Sequence, residues 1–186
     1  MSNENDFVIN KNGVIMEYTG AETAIEIPRI IRGIVVRVIG ERVFFGKGLI
    51  SVAIPESVIE ISEWAFASNQ LVHILISNSV VTINVSVCYK QLVNIVISNG
   101  VKISEGAFNN NRLTDVVLPR SVKVIAYQAF ANNQLSSIII SGKVSLPRKK
   151  QKSAFDNGFD DFYKRNKKKS ETYYLFNGKN WSIKEW

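Results

Sequence analysis

One ten-residue phrase is written three times in this chain: SEWAFASNQL from Ser62 to Leu71, SEGAFNNNRL from Ser104 to Leu113, and AYQAFANNQL from Ala126 to Leu135. Anchoring on the closing leucine extends the series to Leu49, Leu71, Leu92, Leu113 and Leu135, at intervals of 22, 21, 21 and 22 residues. A fixed interval of this size constrains the fold more than composition can. It means one supersecondary unit stacked on copies of itself, each burying its apolar face against the next.

Every anchor leucine begins a variant of LxxIxI: LISVAI, LVHILI, LVNIVI, LTDVVL and LSSIII. Such β-branched runs predict short strands that lie side by side in a parallel sheet. The inward columns are then the leucines themselves, followed by Val52, Ile74, Ile95, Val116 and Ile138, and by Ile54, Ile76, Ile97, Leu118 and Ile140. Four residues later come Val58, Val80, Val101, Val122 and Val144, and after them Ile61, Ile83, Ile103, Ile125 and Leu146. Five residues before the next leucine stand Phe44, Phe66, Val87, Phe108 and Phe130, which should return a large side chain to the interior behind the sheet. At about 1.5–3 kcal/mol per buried side chain, such columns offset the ordering entropy only when coils stack on neighbours.

The rest of the phrase follows from this packing. Ala129 and its counterparts are small so that a short helical turn can approach the neighbouring coil. Asn69, Asn111 and Asn133 sit where an amide can satisfy backbone groups left unpaired as the chain turns back into the sheet. Pro55 and Pro119 end pairing by withholding an N–H.

The pattern LxxIxIPxSVxxIxxxAFxxNxL over residues 25–155 resembles the BspA-like, or treponemal-type, leucine-rich repeat. Two departures stand out: the coil from Leu71 to Gln91 carries Ser86-Val87 and Lys90 in place of the AF pair and the asparagine, and Ser77, Ser98 and Ser141 replace proline. The resemblance implies a mostly β, α/β solenoid: a right-handed leucine-rich repeat superhelix of about six coils, with a parallel sheet, short helical turns and hairpin caps. We divide the chain accordingly into an N-terminal capping hairpin (1–24), the repeats (25–155) and a basic C-terminal capping segment (156–186). FVINKNGVIMEYTG, Phe7 to Gly20, alternates about Asn12-Gly13 as a hairpin does. SAFDNGFDDFY resembles the family's lengthened last repeat, and ETYYLFNGKNWSIKEW its closing hairpin, with the turn at Asn177-Gly178.

With 46% hydrophobic and 21% charged residues among 186, the composition suits a single folded body. There is neither an apolar run long enough to span a bilayer nor a signal-peptide pattern at MSNENDF, so a cytoplasmic protein or a mature, trimmed form is expected. Cys88 and His73 are the sole cysteine and histidine, which makes a disulfide or metal centre improbable, and no cofactor is expected.

Chemistry is therefore sought on the outward columns. Ser51, His73, Asn94, Asp115 and Ser137 form one of them, in which Ser51, His73 and Asn94 superficially match a nucleophile, base and orienter. No glycine-rich oxyanion loop accompanies them, so catalysis is not expected. The adjacent column, Ala53, Leu75, Val96, Val117 and Ile139, puts aliphatics on a face that should meet water, with Ile50, Val72 and Val93 widening it. Either strand propensity or a contact surface for a partner or second copy explains the stripe. As a partner site it comprises His73, Leu75, Asn94, Val96, Asp115, Val117, Ser137 and Ile139.

The charge is lopsided. Residues 1–146 carry 12 Lys+Arg against 11 Asp+Glu, whereas 147–186 carry 11 against 5. Two clusters hold most of the excess: Arg148, Lys149, Lys150 and Lys152, then Lys164, Arg165, Lys167, Lys168 and Lys169. These form an alternative site, for a polyanion such as an acidic glycan, lipid head group or nucleic acid. The family resemblance implies a bacterial surface or secreted protein that binds host or neighbouring-cell proteins.

Overall fold

The computed structural model describes residues 2–84, 91–97, 99–141, 143–147, 153–156, 158–167, 171–176 and 180–183. A hairpin of β1 (Phe7–Ile9) and β2 (Val14–Tyr18) leads the chain. The first coil contains β3 (Ala24–Glu26), a small antiparallel hairpin of β4 (Ile30–Ile31) and β5 (Ile34–Val35), and β6 (Val38–Ile39). Three coils follow, each with a sheet strand and a two-residue strand: β7 (Ser51–Ala53) and β8 (Glu60–Ile61), β9 (His73–Ile76) and β10 (Thr82–Ile83), β11 (Asn94–Ile97) and β12 (Lys102–Ile103). Then come β13 (Asp115–Leu118), β14 (Ser137–Ile140), the helix α1 (Phe159–Arg165), and the hairpin of β15 (Thr172–Phe176) and β16 (Asn180–Ile183).

The LxxIxI strands are parallel and in the register of the repeat: His73 pairs with Asn94, Leu75 with Val96, Asp115 with Ser137 and Val117 with Ile139. Ladder bonding joins them as β3-β7, β9-β11 and β13-β14, and with β7 beside β9 and β11 beside β13 the three ladders form one layer, the first sheet. A second sheet, not expected from the sequence, runs behind them in the order β1-β2-β6-β8-β10-β12. Beyond the leading hairpin it is built from the Val-x-x-Ile part of each coil, shortened to Val-x-Ile at Val101, and the isoleucines Ile39, Ile61, Ile83 and Ile103 align across the ladder. Two residues per coil, one of them Glu60 in β8 and Lys102 in β12, are too short a run to announce a strand in one copy. Stacking makes them one.

Between the sheets lies the core. All five anchor leucines are buried, as are the valine and isoleucine columns from the second sheet side; only Val52 and Ile54 remain half-buried, near the start of the stack. The phenylalanine column forms a continuous aromatic spine at each end: Phe7, Tyr18, Phe44 and Phe66 in one section, Phe108, Phe130, Phe155 and Phe159 in the other. Val87, Cys88 and the rest of residues 85–90, which include the irregular part of the third coil, lie outside the described residues.

The AF segments are tight turns rather than helix. In the second coil Ala65 and Ala67 donate to Ser62 and Trp64 three residues back. Left-handed backbone recurs four residues apart in four of the coils, at Arg42 and Gly46, Trp64 and Ser68, Gly106 and Asn110, Gln128 and Asn132. This arrangement frees alternate N–H groups to bond along the stack: Arg42, Phe44 and Gly46 donate to Glu63, Ala65 and Ala67, and Gly106, Phe108 and Asn110 to Tyr127, Ala129 and Ala131. A helix would have consumed those donors within the coil. Ala65, Ala107, Ala129 and Ala154 are fully buried where the turns meet, as the small residue requires.

The asparagines link coils. Asn69 Oδ1 accepts from Leu49 N at 2.9 Å, and its Nδ2 donates to Phe44 O at 2.7 Å and Phe66 O at 2.9 Å. Asn133 repeats this, accepting from Leu113 N at 3.0 Å and donating to Phe108 O and Phe130 O at 2.9 Å each. Asn111 accepts from Leu92 N at 3.2 Å and donates to Phe108 O at 3.1 Å. Serine replaces proline at Ser77 without loss of the turn, since Val80 N bonds Ser77 O at 3.2 Å just as Val58 N bonds Pro55 O at 3.1 Å.

The two hairpins close different sheets. β2 pairs with β6, extending the second sheet, while β15 lies antiparallel to β14 and extends the first. At the C-terminal end α1 and the last hairpin cover the spine, with Phe159 against Phe155, Tyr163, Tyr173 and Trp181 at centroid distances of 4.9–5.8 Å. Asp160, buried, fixes the approach by accepting from Ala154 N and Phe155 N through its two carboxylate oxygens, at 3.0 and 3.1 Å. The turn at Asn177-Gly178 lies outside the described residues.

Candidate interaction face

Strand alternation turns every second side chain of the first sheet outward. Leu75, Val96 and Val117 are 63%, 56% and 47% exposed, each between two buried core residues of its own strand. Ile139 is half-buried, because β15 packs beside it. Ile50 and Val72 are exposed beside the stripe and Val93 is half-buried.

The polar column beside the stripe is organised by cross-strand bonds. Asn94 Nδ2 and His73 Nδ1 are 3.2 Å apart. Ser137 donates to Asp115 Oδ1, and Thr114 Oγ1 donates to Asp115 Oδ2 at 2.7 Å. These bonds fix five side chains on the outward surface, so their rotamer entropy is spent before any partner arrives. Ser51 makes no side-chain hydrogen bond to His73 among the described residues, so the structure brings together the asparagine and histidine of the superficial triad but not its serine.

Sequence reading stopped this face at Ser137 and Ile139. The structure carries it further, because β15 and β16 place Tyr174 beside Ser137, Ser182 beside Tyr174 and Thr172 beside Ile139. At the other end Glu26 is in register with Ala53. Alternation within TYYLF was the signal for Tyr174, but which way the closing hairpin would pair could not be read from it.

Of the basic cluster, Lys164 is engaged: its Nζ donates to Pro147 O at 3.0 Å. Arg165 and Lys167 are exposed. Arg148, Lys149, Lys150, Lys152, Lys168 and Lys169 lie outside the described residues. Among the described residues, no group of three or more His, Cys, Asp or Glu could hold a metal ion, and no helix is long and apolar enough to cross a membrane.

A parallel layer fed once per coil by an LxxIxI strand, with an asparagine clasp before three of its five anchor leucines, defines a leucine-rich repeat solenoid. The chain belongs to the BspA type leucine-rich repeat family, whose sequence model matches residues 18–136 in six copies. Its fold is similar to that of the T. pallidum Leucine Rich Repeat protein, with a TM-score of 0.56 and 22% identity over 74% of this chain and 80% of that one. A leucine rich cell surface protein from Faecalibacterium prausnitzii A2-165 gives a TM-score of 0.42 and 21% identity, over 95% of this chain and 58% of that one. No curated protein matches significantly.

Proposed function

We propose that the chain is a non-enzymatic recognition module that binds another protein through the exposed face of its first sheet. The observation that carries this reading is the aliphatic stripe: Leu75, Val96 and Val117 stand on successive strands, outward and open, beside a polar column already held by its own hydrogen bonds. Apolar area flanked by fixed polar groups combines burial with directional contact, as the centres of protein interfaces do. A place at the bacterial surface or outside the cell goes with that reading, the partner being a protein of a host or a neighbouring cell.

The double substitution Val96→Glu and Val117→Glu tests the assignment. Both side chains are exposed, so thermal unfolding should move little, while any complex seated on the stripe should weaken by several kcal/mol from unpaired buried charge, on the order of 2–5. Sedimentation of the parent and the variant separates a second copy from a foreign partner. A variant that folds and retains every interaction of the parent would move recognition away from this sheet.

The basic C-terminal segment supports a second reading, attraction to polyanions, because residues 147–186 hold 11 cations against 5 anions. Replacing Lys167, Lys168 and Lys169 by Gln should lower heparin retention and flatten its salt dependence with folding intact. Unchanged retention would remove its basis.

A further inference from the structure

The repeats are close to neutral by count, but the fold sorts their charges in space. Residues 116–155 hold seven Lys and Arg and no Asp or Glu. Lys102, Arg120, Lys123 and Lys143 are all exposed, and they follow one another along the edge where successive coils pass from the first sheet to the second. The acids of the same coils lie elsewhere. Glu56 and Glu60 are on this edge but two coils before Lys102, Glu63 and Glu105 belong to the AF turns, and Asp115 is on the first sheet. Among the described residues none of the four cations is ion-paired with a carboxylate.

Lys102 and Lys123 flank a cleft of about 260 Å³ whose other walls are Gly100, Val101, Ser121 and Val124, so no carboxylate lines it. Its backbone is held across coils: Ser121 Oγ accepts from Gly100 N at 2.8 Å and donates to Asn99 Oδ1 at 3.1 Å. Lys123 Nζ donates to Arg120 O at 2.8 Å, which positions the ammonium and uses one of its three donors. The C-terminal cap continues the edge. Val144 N donates to Tyr163 Oη and Lys164 Nζ to Pro147 O, each at 3.0 Å, so α1 lies beside the segment that carries Lys143 and adds Arg165 and Lys167, both exposed. Asp161 and Glu171 are the acids that oppose the charge at that end.

We propose that this edge binds a linear sulfated glycan, laid along the stack from Lys102 past Lys123 and Lys143 to α1, with one sulfate seated in the cleft. Neighbouring coils are about 5 Å apart, so the row presents closely spaced point charges to a chain of anions, which gains by shedding its counterions. Nucleic acid is disfavoured by what the edge lacks. Single strands are held by stacking on aromatic platforms, and the exposed aromatics among the described residues, Phe45 and Tyr174, stand on the first coil's turn and on the first sheet. A row along one edge also suits a chain better than the plane of a bilayer. The proposal rests on the polyanion reading given above for its class of ligand, and differs from it in placing the contact on the repeats.

The full chain can be titrated with a fluorescent heparin octasaccharide by anisotropy over a range of salt concentrations. Lys102→Gln, Lys123→Gln and Lys143→Gln together should weaken binding by about tenfold and lower the slope of log K against log salt by about two, with the melting temperature unchanged. Should that triple variant melt lower than the parent, Lys102→Gln and Lys123→Gln alone, each expected to weaken binding by about threefold, decide instead. The chain carrying Lys167→Gln, Lys168→Gln and Lys169→Gln is the comparison. Loss in the repeat variant alone supports this proposal and removes the C-terminal reading, and loss in both supports the two as one strip. Loss in the C-terminal variant alone overturns this proposal and keeps that reading, and loss in neither overturns both. In the parent, backbone amide resonances of Gly100, Lys102 and Ser121 should shift with the octasaccharide, and their silence would overturn the cleft as a sulfate site. Oligothymidylate and phosphatidylserine vesicles should bind weaker by about tenfold at equal charge. Binding of either as tight as that of heparin would overturn the assignment to a glycan.

Discussion

At the scale of single residues, the asparagine before Leu71, Leu113 and Leu135 does the most with the fewest atoms. Asn69 answers one N–H and two carbonyls from two different coils, all within 2.9 Å. Asn69→Leu keeps the volume and deletes every bond, leaving Leu49 N and Phe66 O without these partners and Phe44 O with only the 3.4 Å bond from Lys47 N. The expected loss is about 2–4 kcal/mol in denaturant unfolding, and a loss under about 1 kcal/mol would mean water replaces the amide. This role was legible in the sequence, because an inward polar residue at a turn has backbone to satisfy. The left-handed residues were not. Trp64, Gln128 and Arg42 carry side chains that give no hint of positive φ, and only their alignment with Gly106 reveals that the position demands it.

At the scale of elements, the strands were readable because their period and their burial agree: LxxIxI puts Leu, Ile and Ile inward in every coil. Behind the sheet the reading fell short, since two-residue strands leave no pattern in one copy and the AF phrase suits a helical turn as well as the turn ladder that forms. The closing hairpin was foreseen, its pairing with β14 was not. Phe159, Tyr173 and Trp181 meet at centroid distances of 4.9 and 5.2 Å, so the cap is an aromatic cluster and not a bare hairpin. Trp181→Ala should cost about 3–5 kcal/mol and expose the C-terminal coils to hydrogen exchange before the centre of the stack. Uniform exchange along the chain would show that the solenoid unfolds as one unit instead.

For the whole molecule, the buried tyrosines make an alkaline limit. Tyr18, Tyr163 and Tyr173 are all fully buried. Burial pushes each phenol above the usual 10.0, reinforced at Tyr173 by Tyr163 and Glu171 and at Tyr18 by Asp6 and Glu22; at Tyr163 the bond from Val144 N opposes it. An unfolded phenol ionises near 10.0 while the folded one keeps its proton, so the unfolded state binds fewer protons and stability falls as pH rises past that value. Below it these groups cost nothing. Phenolate absorbance and far-ultraviolet circular dichroism should therefore change together in an alkaline titration; phenolate signal from all three tyrosines in a chain still folded would refute the burial of this core. The face proposed for interaction shows the same division of legibility at this scale. Its stripe was visible in the sequence as misplaced aliphatics, but its extension to Tyr174 depended on a chain reversal that no periodicity encodes.

The asparagine clasp also bears on how such a protein can change its length. Asn69 donates to Phe44 O of the coil before it, and Asn133 donates to Phe108 O of its own predecessor, so each of these coils carries the fastening to the one already in place. A duplicated coil bearing this asparagine would arrive with its own connector and leave no orphaned amide behind, and a deleted coil would take its connector with it. Growth by whole coils is thereby nearly neutral for the backbone, while insertion of a fraction of a coil is not. Reach along the sheet can then be altered by genetic duplication without redesigning either cap.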